Sequence, residues 1–259
     1  MKSTTLSKLQ MVPKVGETIV VAGGCGGIGR CLVEAANEIG LNVIVLDLQR
    51  SIDGFPVPMG VTAIACDATR PVEIVAAFKE ISSNFRVIDH FVNLVGFTKE
   101  QVNIADMVED EWDEITNGTI KSAFLLVRAA IPLLRKSANP SILNTASTFG
   151  VQVTVAGYGP YSVAKAGIIN FTRALAIEEA PHIRVNALAP GLIDTQFLKG
   201  GTGRDEKSSR IDKNRVVTGI PLQRIGTPDD LIGIMLFLAS PAAAYITSQT
   251  IHVNGGLWS

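Results

Sequence analysis

Seven short apolar runs punctuate the 259 residues of the chain, at 18–22, 42–47, 61–66, 90–95, 141–145, 184–189 and 250–253. Each is nearly continuous rather than alternating, as in Thr18, Ile19, Val20, Val21 and Ala22, the pattern of a strand buried on both faces. Between the runs, apolar residues recur at helical spacing: after Gly29 they fall at Leu32, Val33, Ala36 and Ile39. Strands that alternate with helices predict an α/β, doubly wound Rossmann fold, a seven-stranded parallel sheet with helices on both faces. Its ligand crevice lies beyond the carboxyl ends of the strands, where the strand order reverses. One helix start is legible in Thr227, Pro228, Asp229 and Asp230, which supply an N-cap hydroxyl, a proline in the first turn and two carboxylates against the dipole. The apolar helix 231–238 follows, and Ser240 and Pro241 interrupt the run to 246, leaving it too short to span a bilayer.

No internal repeat or long linker divides the chain, so residues 1–259 are expected to form a single dinucleotide-binding and catalytic domain. Only 200–213, rich in Gly, Ser and charge, reads as a mobile loop over a site. The formal net charge of -1 offers no general attraction to nucleic acid or to an acidic membrane, which favours small-molecule chemistry. The polar opening of the chain carries no secretory signal, so a cytoplasmic location is expected. Cys25, Cys31 and Cys66 show no ligand spacing and read as reduced, buried fillers. His90, His182 and His252 stand far apart, and no metal site is expected.

Chemistry concentrates in two places. The stretch VAGGCGGIGR at 21–30 puts five glycines into seven positions between a strand and a helix. Such a loop aims free N–H groups and the positive end of a helix dipole at one point, a seat for a pyrophosphate. Asp47, 18 positions beyond Gly29 at the end of the second strand, stands where a carboxylate accepts the adenine ribose hydroxyls and repels a 2′-phosphate, so NAD is the expected cofactor. The second place is Tyr161 with Lys165, one helical turn apart, and Ser147 upstream at the end of the run 141–145. A lysine ammonium on the same helix face favours the phenolate, which would bring a phenol with a pKa near 10 toward neutrality as an acid or base.

Taken together these segments resemble the short-chain dehydrogenase/reductase family over nearly the whole chain. The family's first glycine motif falls on Ala22, Gly23, Gly27 and Gly29, and its adenine-side aspartate on Asp67. RVNALAPGLIDT at 184–195 resembles the stretch that closes over the nicotinamide, and PLQRIGTPDDL and YITSQTIHVNGG match the C-terminal signatures. The resemblance implies that Tyr161 exchanges a proton with the substrate oxygen, that Ser147 hydrogen-bonds that oxygen, and that Lys165 lowers the tyrosine pKa and holds the nicotinamide ribose. It further implies cofactor contacts at Gly23, Gly27, Ile28, Gly29, Asp47, Leu48, Asp67, Ala68, Asn93, Val95, Tyr161 and Lys165, with Pro190, Ile193 and Thr195 at the nicotinamide end. A homotetramer is implied as well, paired through the long helices that begin near Trp112 and Tyr158.

The chain departs from the family pattern at Ala22 and in Asn93-Leu94-Val95-Gly96. It departs again at Thr119, which takes the place of the asparagine that completes the proton relay. Asn117, two residues earlier, lies about 200° around a regular helix and cannot substitute. The pair Asn117-Gly118 can instead break the helix and leave a carbonyl for the relay water. The implied activity interconverts a secondary alcohol and its ketone, with a 3-hydroxyacyl/3-oxoacyl or an aromatic alcohol substrate. The alternative is a catalytically silent dinucleotide-binding subunit of a hetero-oligomeric dehydrogenase. Leu94, Val95, Phe149, Val153, Tyr158, Phe197 and Leu198 are candidates for an apolar substrate pocket. Six basic against three acidic residues in 199–215 would suit an acidic substrate group.

Overall fold

The computed structural model describes residues 10–201 and 216–258. Its elements run β1 (Thr18–Ala22), α1 (Gly27–Glu38), β2 (Asn42–Asp47), α2 (Gln49–Gly54), β3 (Thr62–Ala65), α3 (Pro71–Asn84), β4 (His90–Asn93), α4 (Glu109–Thr116), α5 (Ser122–Leu134), β5 (Ser141–Thr145), α6 (Gly159–Glu178), β6 (Arg184–Pro190), α7 (Asp229–Ala239) and β7 (Thr250–Val253). All seven predicted strands are present. β4 ends two residues earlier than the apolar run because the Asn93 side chain accepts the Val95 N–H at 3.1 Å and turns the chain out of the ladder.

The strands pair in the order β3-β2-β1-β4-β5-β6-β7, every neighbour parallel. Alternation along each strand feeds two cores. Val20 and Ala22 of β1 face α3 and α5 with Ile74, Phe78, Leu126 and Leu134, whereas Ile19 and Val21 face α1 and α7 with Leu32, Val33, Leu231 and Met235. The order reverses between β1 and β4, which opens the crevice at their carboxyl ends. Ile64, Leu46, Ala22, Asn93, Asn144 and Ala187 lie in one register row across the sheet. The loops that leave this row carry almost every candidate site residue.

The start of α7 differs from the expected cap. The Thr227 hydroxyl donates to the Asp230 carboxylate at 3.3 Å rather than accepting a backbone N–H, and the same carboxylate accepts the Thr227 N–H at 2.8 Å. Arg224 grips Asp230 through two bonds of 2.6 Å and holds its carboxyl well below the usual range. At the other end of α7 the buried Arg184 guanidinium donates to the carbonyls of Leu238 at 2.6 Å and Ala243 at 3.2 Å, a cation placed against the negative end of the helix. His90 is buried between the Ser141 hydroxyl at 2.9 Å and Glu17 at 3.0 Å, and Cys25, Cys31 and Cys66 are free thiols. Among the described residues no helix is long and apolar enough to cross a membrane, and no cluster of three potential metal ligands occurs. The expected mobile loop 200–213 and the basic residues Arg204, Lys207, Arg210, Lys213 and Arg215 lie largely or wholly outside the described residues.

Candidate active site

The glycine loop leaves β1 and enters α1 with almost no room for side chains. Gly23 adopts φ +81°, and a Cβ on Gly29 would stand 2.3 Å from the Gly23 carbonyl oxygen. Only a bare backbone makes this turn. The amides of Gly27, Ile28 and Gly29 form the first turn of α1, where N–H groups have no intrahelical partner. Asp47 at the end of β2 reaches across to the loop: one carboxylate oxygen accepts the Cys25 N–H at 2.9 Å and the other the Leu48 N–H at 2.8 Å. Burial pushes the Asp47 carboxyl upward, and these two amides oppose the shift. Asp67 and Ala68 follow β3 at the same edge, with Asp67 accepting the Thr69 N–H and hydroxyl at 2.9 and 2.7 Å. A free first turn, a cradle that a Cβ would fill and a fixed carboxylate together fit a dinucleotide.

Pro190 closes β6, Ile193 forms a bridge to Gly226, and Thr195 caps the short turn Gln196–Lys199 by accepting the Phe197 N–H. Thr195 also brings this segment onto the glycine loop, since a Cβ on Gly27 would lie 2.7 Å from its methyl group. The predicted phosphate and nicotinamide ends thus share a wall.

Ser147, Tyr161 and Lys165 meet at the carboxyl end of β5. Ser147 caps the turn Thr148–Gly150, and its hydroxyl favours the charged form of the Tyr161 phenol. Gly150 allows this approach: a Cβ there would sit 2.8 Å from the backbone carbonyl of Lys165. The Lys165 ammonium donates to the Thr145 carbonyl at 2.7 Å and lies 5.7 Å from the centre of the Tyr161 ring. The cluster forms as the motif predicts, but its electrostatics run against the expectation that Lys165 lowers the tyrosine pKa. Burial pushes Tyr161 up to about 12, with Ser147 opposing and Tyr158 adding, and pushes Lys165 down to about 8. Tyr161 is 8% and Lys165 4% exposed, so desolvation disfavours the charged form of each.

The helix opposite breaks where Asn117-Gly118 predicts, as a widened π turn over Asn117–Lys121. Two carbonyls of the break have a side-chain partner: the Ser122 hydroxyl lies 3.0 Å from that of Gly118 and 3.1 Å from that of Thr119 as a shared donor, a role the sequence pattern did not reveal. The fully buried Thr119 hydroxyl is unpartnered. Thr119 Oγ1 and Lys165 Nζ stand 3.7 and 3.2 Å from where a Cβ on Gly96 would be. Gly118 makes space for the Phe97 ring, which a Cβ would meet at 2.3 Å.

Of the pocket candidates, Phe149, Tyr158 and Phe197 gather round Tyr161 with Phe97 and Ile115, whereas Leu94 and Val95 pack into the two cores and Val153 is 53% exposed. Phe97 and Ile115 were missed because nothing in their local spacing sets them apart from core positions. Arg30, beside the glycine loop, was missed as well: its guanidinium stacks 4.1 Å from the Phe55 ring.

Residues 23–258 match a family model described as enoyl-(acyl carrier protein) reductase. The 3-oxoacyl-[acyl-carrier-protein] reductase FabG of Vibrio cholerae is 34% identical over 247 residues, 94% of this chain and 98% of the relative. The Staphylococcus aureus protein of the same name is 33% identical over 260 residues, 95% of this chain and 99% of the relative. Among solved structures, one titled short-chain dehydrogenase/reductase SDR:glucose/ribitol dehydrogenase from Brucella melitensis superposes with a TM-score of 0.86 at 29% identity, covering 96% of this chain and 99% of that one. The ligand-free aldohexose dehydrogenase of Thermoplasma acidophilum gives a TM-score of 0.82 at 29% identity, covering 94% of each chain.

Proposed function

The chain belongs to the short-chain dehydrogenase/reductase family of oxidoreductases, and from that premise we propose that it interconverts a secondary alcohol and its ketone with NAD as cofactor. The observation that carries this reading is that Ser147, Tyr161 and Lys165 meet at the carboxyl edge of the same parallel sheet that the glycine loop leaves. Gly27, Ile28 and Gly29 would hold the diphosphate on the first turn of α1, Asp47 and Leu48 the adenine ribose, and Asp67 and Ala68 the adenine. Asn93, Val95, Pro190, Ile193 and Thr195 would flank the nicotinamide end. The fixed carboxylate of Asp47 supports NAD over NADP, because a 2′-phosphate would bring like charges together.

When bound, the cofactor would supply a hydride to the substrate carbonyl carbon, or accept one from the alcohol carbon. In ketone reduction the C–O double bond would become single as the carbon gains that hydride, and the oxygen would take its proton from the Tyr161 hydroxyl. Ser147 donates a hydrogen bond to the same oxygen as negative charge develops there. Tyr161, held neutral by a pKa of about 12, is loaded for this donation at neutral pH. Alcohol oxidation runs the transfers backward and needs the phenolate, so its rate rises with pH. Lys165, pushed down to about 8, is protonated at neutral pH and would position the ribose.

Phe124, Val163 and Ile177 stand 42%, 54% and 77% exposed on α5 and α6 and support pairing of these helices in a homotetramer. One catalytic domain, a small alcohol or ketone substrate and a cytoplasmic location complete the reading. The test is reduction of a ketone panel with NADH and NADPH by the wild type and Tyr161→Phe. The expected result is NADH-preferring turnover that falls at least ~100-fold in the variant with cofactor affinity retained. Equal turnover by the variant overturns the mechanism, and none by the wild type favours the silent subunit.

A further inference from the structure

Tyr161 stands inside a box of rings. Phe149 lies 6.5 Å from it at an interplanar angle of 73°, Tyr158 6.3 Å at 62° and Phe197 5.8 Å at 47°; Phe149 and Tyr158 meet at 5.1 Å and 65°. These tilted and edge-to-face contacts lie in the range where aromatic pairs attract beyond what area burial alone provides. Phe97 and Ile115 complete the apolar wall. The rings converge from the loop after β4, the turn after β5, the start of α6 and the turn after β6, so the fold assembles the box around the proton-exchanging hydroxyl. At its rim the Tyr158 hydroxyl accepts a hydrogen bond from the Gln101 amide at 3.0 Å.

A straight acyl chain entering this box gains area contact only. A flat ring gains the area and the edge-to-face contacts together. Phe197 shows the kind of contact on offer: its ring lies tilted against that of Tyr161, which is only 8% exposed.

Resting on the alcohol–ketone reading above, we infer that the substrate is a ketone or secondary alcohol with an aromatic ring on or next to the reacting carbon. Phe149 and Tyr158 are its specificity-determining residues. The test compares kcat/KM, followed by loss of NADH absorbance, for propiophenone, a straight-chain nonanone and a 3-oxoacyl pantetheine-phosphate thioester. The expected result is a preference for propiophenone over both the nonanone and the thioester of about tenfold or more. Phe149→Leu and Tyr158→Leu each lower the aryl-to-alkyl ratio by about threefold or more, and Tyr158→Phe, which keeps the ring, restores it. Preference for the nonanone or thioester, or a ratio unmoved in both Leu variants, overturns this inference while leaving the dehydrogenase reading intact. Turnover of none of the three overturns that reading and this inference with it.

Discussion

Replacing Lys165 with methionine removes a buried ammonium from the centre of the site. Lys165 is 4% exposed, and burial lowers its pKa from 10.5 to about 8. At ~1.36 kcal/mol per pKa unit, the folded chain is disadvantaged by on the order of 3 kcal/mol whenever it carries this proton. Between pH 8 and 10.5 the unfolded lysine holds a proton that the folded one has shed, so wild-type stability rises with pH across that window. Below it both states are protonated and the full penalty stands. The thioether of the variant has nothing to titrate, and groups common to both proteins cancel. Tyr161, pushed up to about 12, titrates above the window. The unfolding free energy of Lys165→Met minus that of the wild type is therefore expected to fall by roughly 3 kcal/mol from neutral pH to pH 10.5. Its absolute value at neutral pH is smaller, because the variant strips the Thr145 carbonyl of a 2.7 Å donor, a loss of about 1–3 kcal/mol. Urea unfolding of both proteins at one protein concentration, without nucleotide and at stepped pH, measures the trend. A difference that stays flat with pH refutes the reasoning.

Asp47→Ser removes the charge opposed to a 2′-phosphate, and the ratio of kcat/KM for NADP over NAD is expected to rise on the order of tenfold or more; steady-state kinetics with both cofactors shows whether it does. Gly118→Ala places a Cβ 2.3 Å from the Phe97 ring, so stability should fall by about 1–3 kcal/mol in urea titrations. Adding Phe97→Leu should recover part of that loss, and strict additivity of the two changes would show that the contact is not the cause. Thr119→Val should leave stability unchanged or raised, since the buried hydroxyl has no bond to lose. A loss above about 1 kcal/mol would mean that the hydroxyl is bonded after all.

Short-range pattern was enough for the scaffold. Each strand is a near-continuous apolar run, the glycine loop follows from its bare backbone, and Tyr161 and Lys165 share a helix face at any i, i+4 spacing, so these features depend on neighbours a few residues away. What those groups do electrostatically depends on segments far along the chain. The i, i+4 pair predicts a lowered tyrosine pKa, yet Phe149 and Phe197, brought in by the ends of β5 and β6, pack on the buried Tyr161, and burial drives both it and Lys165 toward their neutral forms. The Asn117-Gly118 break was legible as a weak helix position, but that Ser122 occupies two of its carbonyls and Phe97 fills the glycine's space was not. Thr227 likewise reads as a capping acceptor until Arg224 fixes Asp230, which then takes the hydroxyl as a donor. Periodicity and backbone sterics are local and survive in one dimension. Desolvation and ring packing depend on which distant segments meet, and only the assembled sheet decides that.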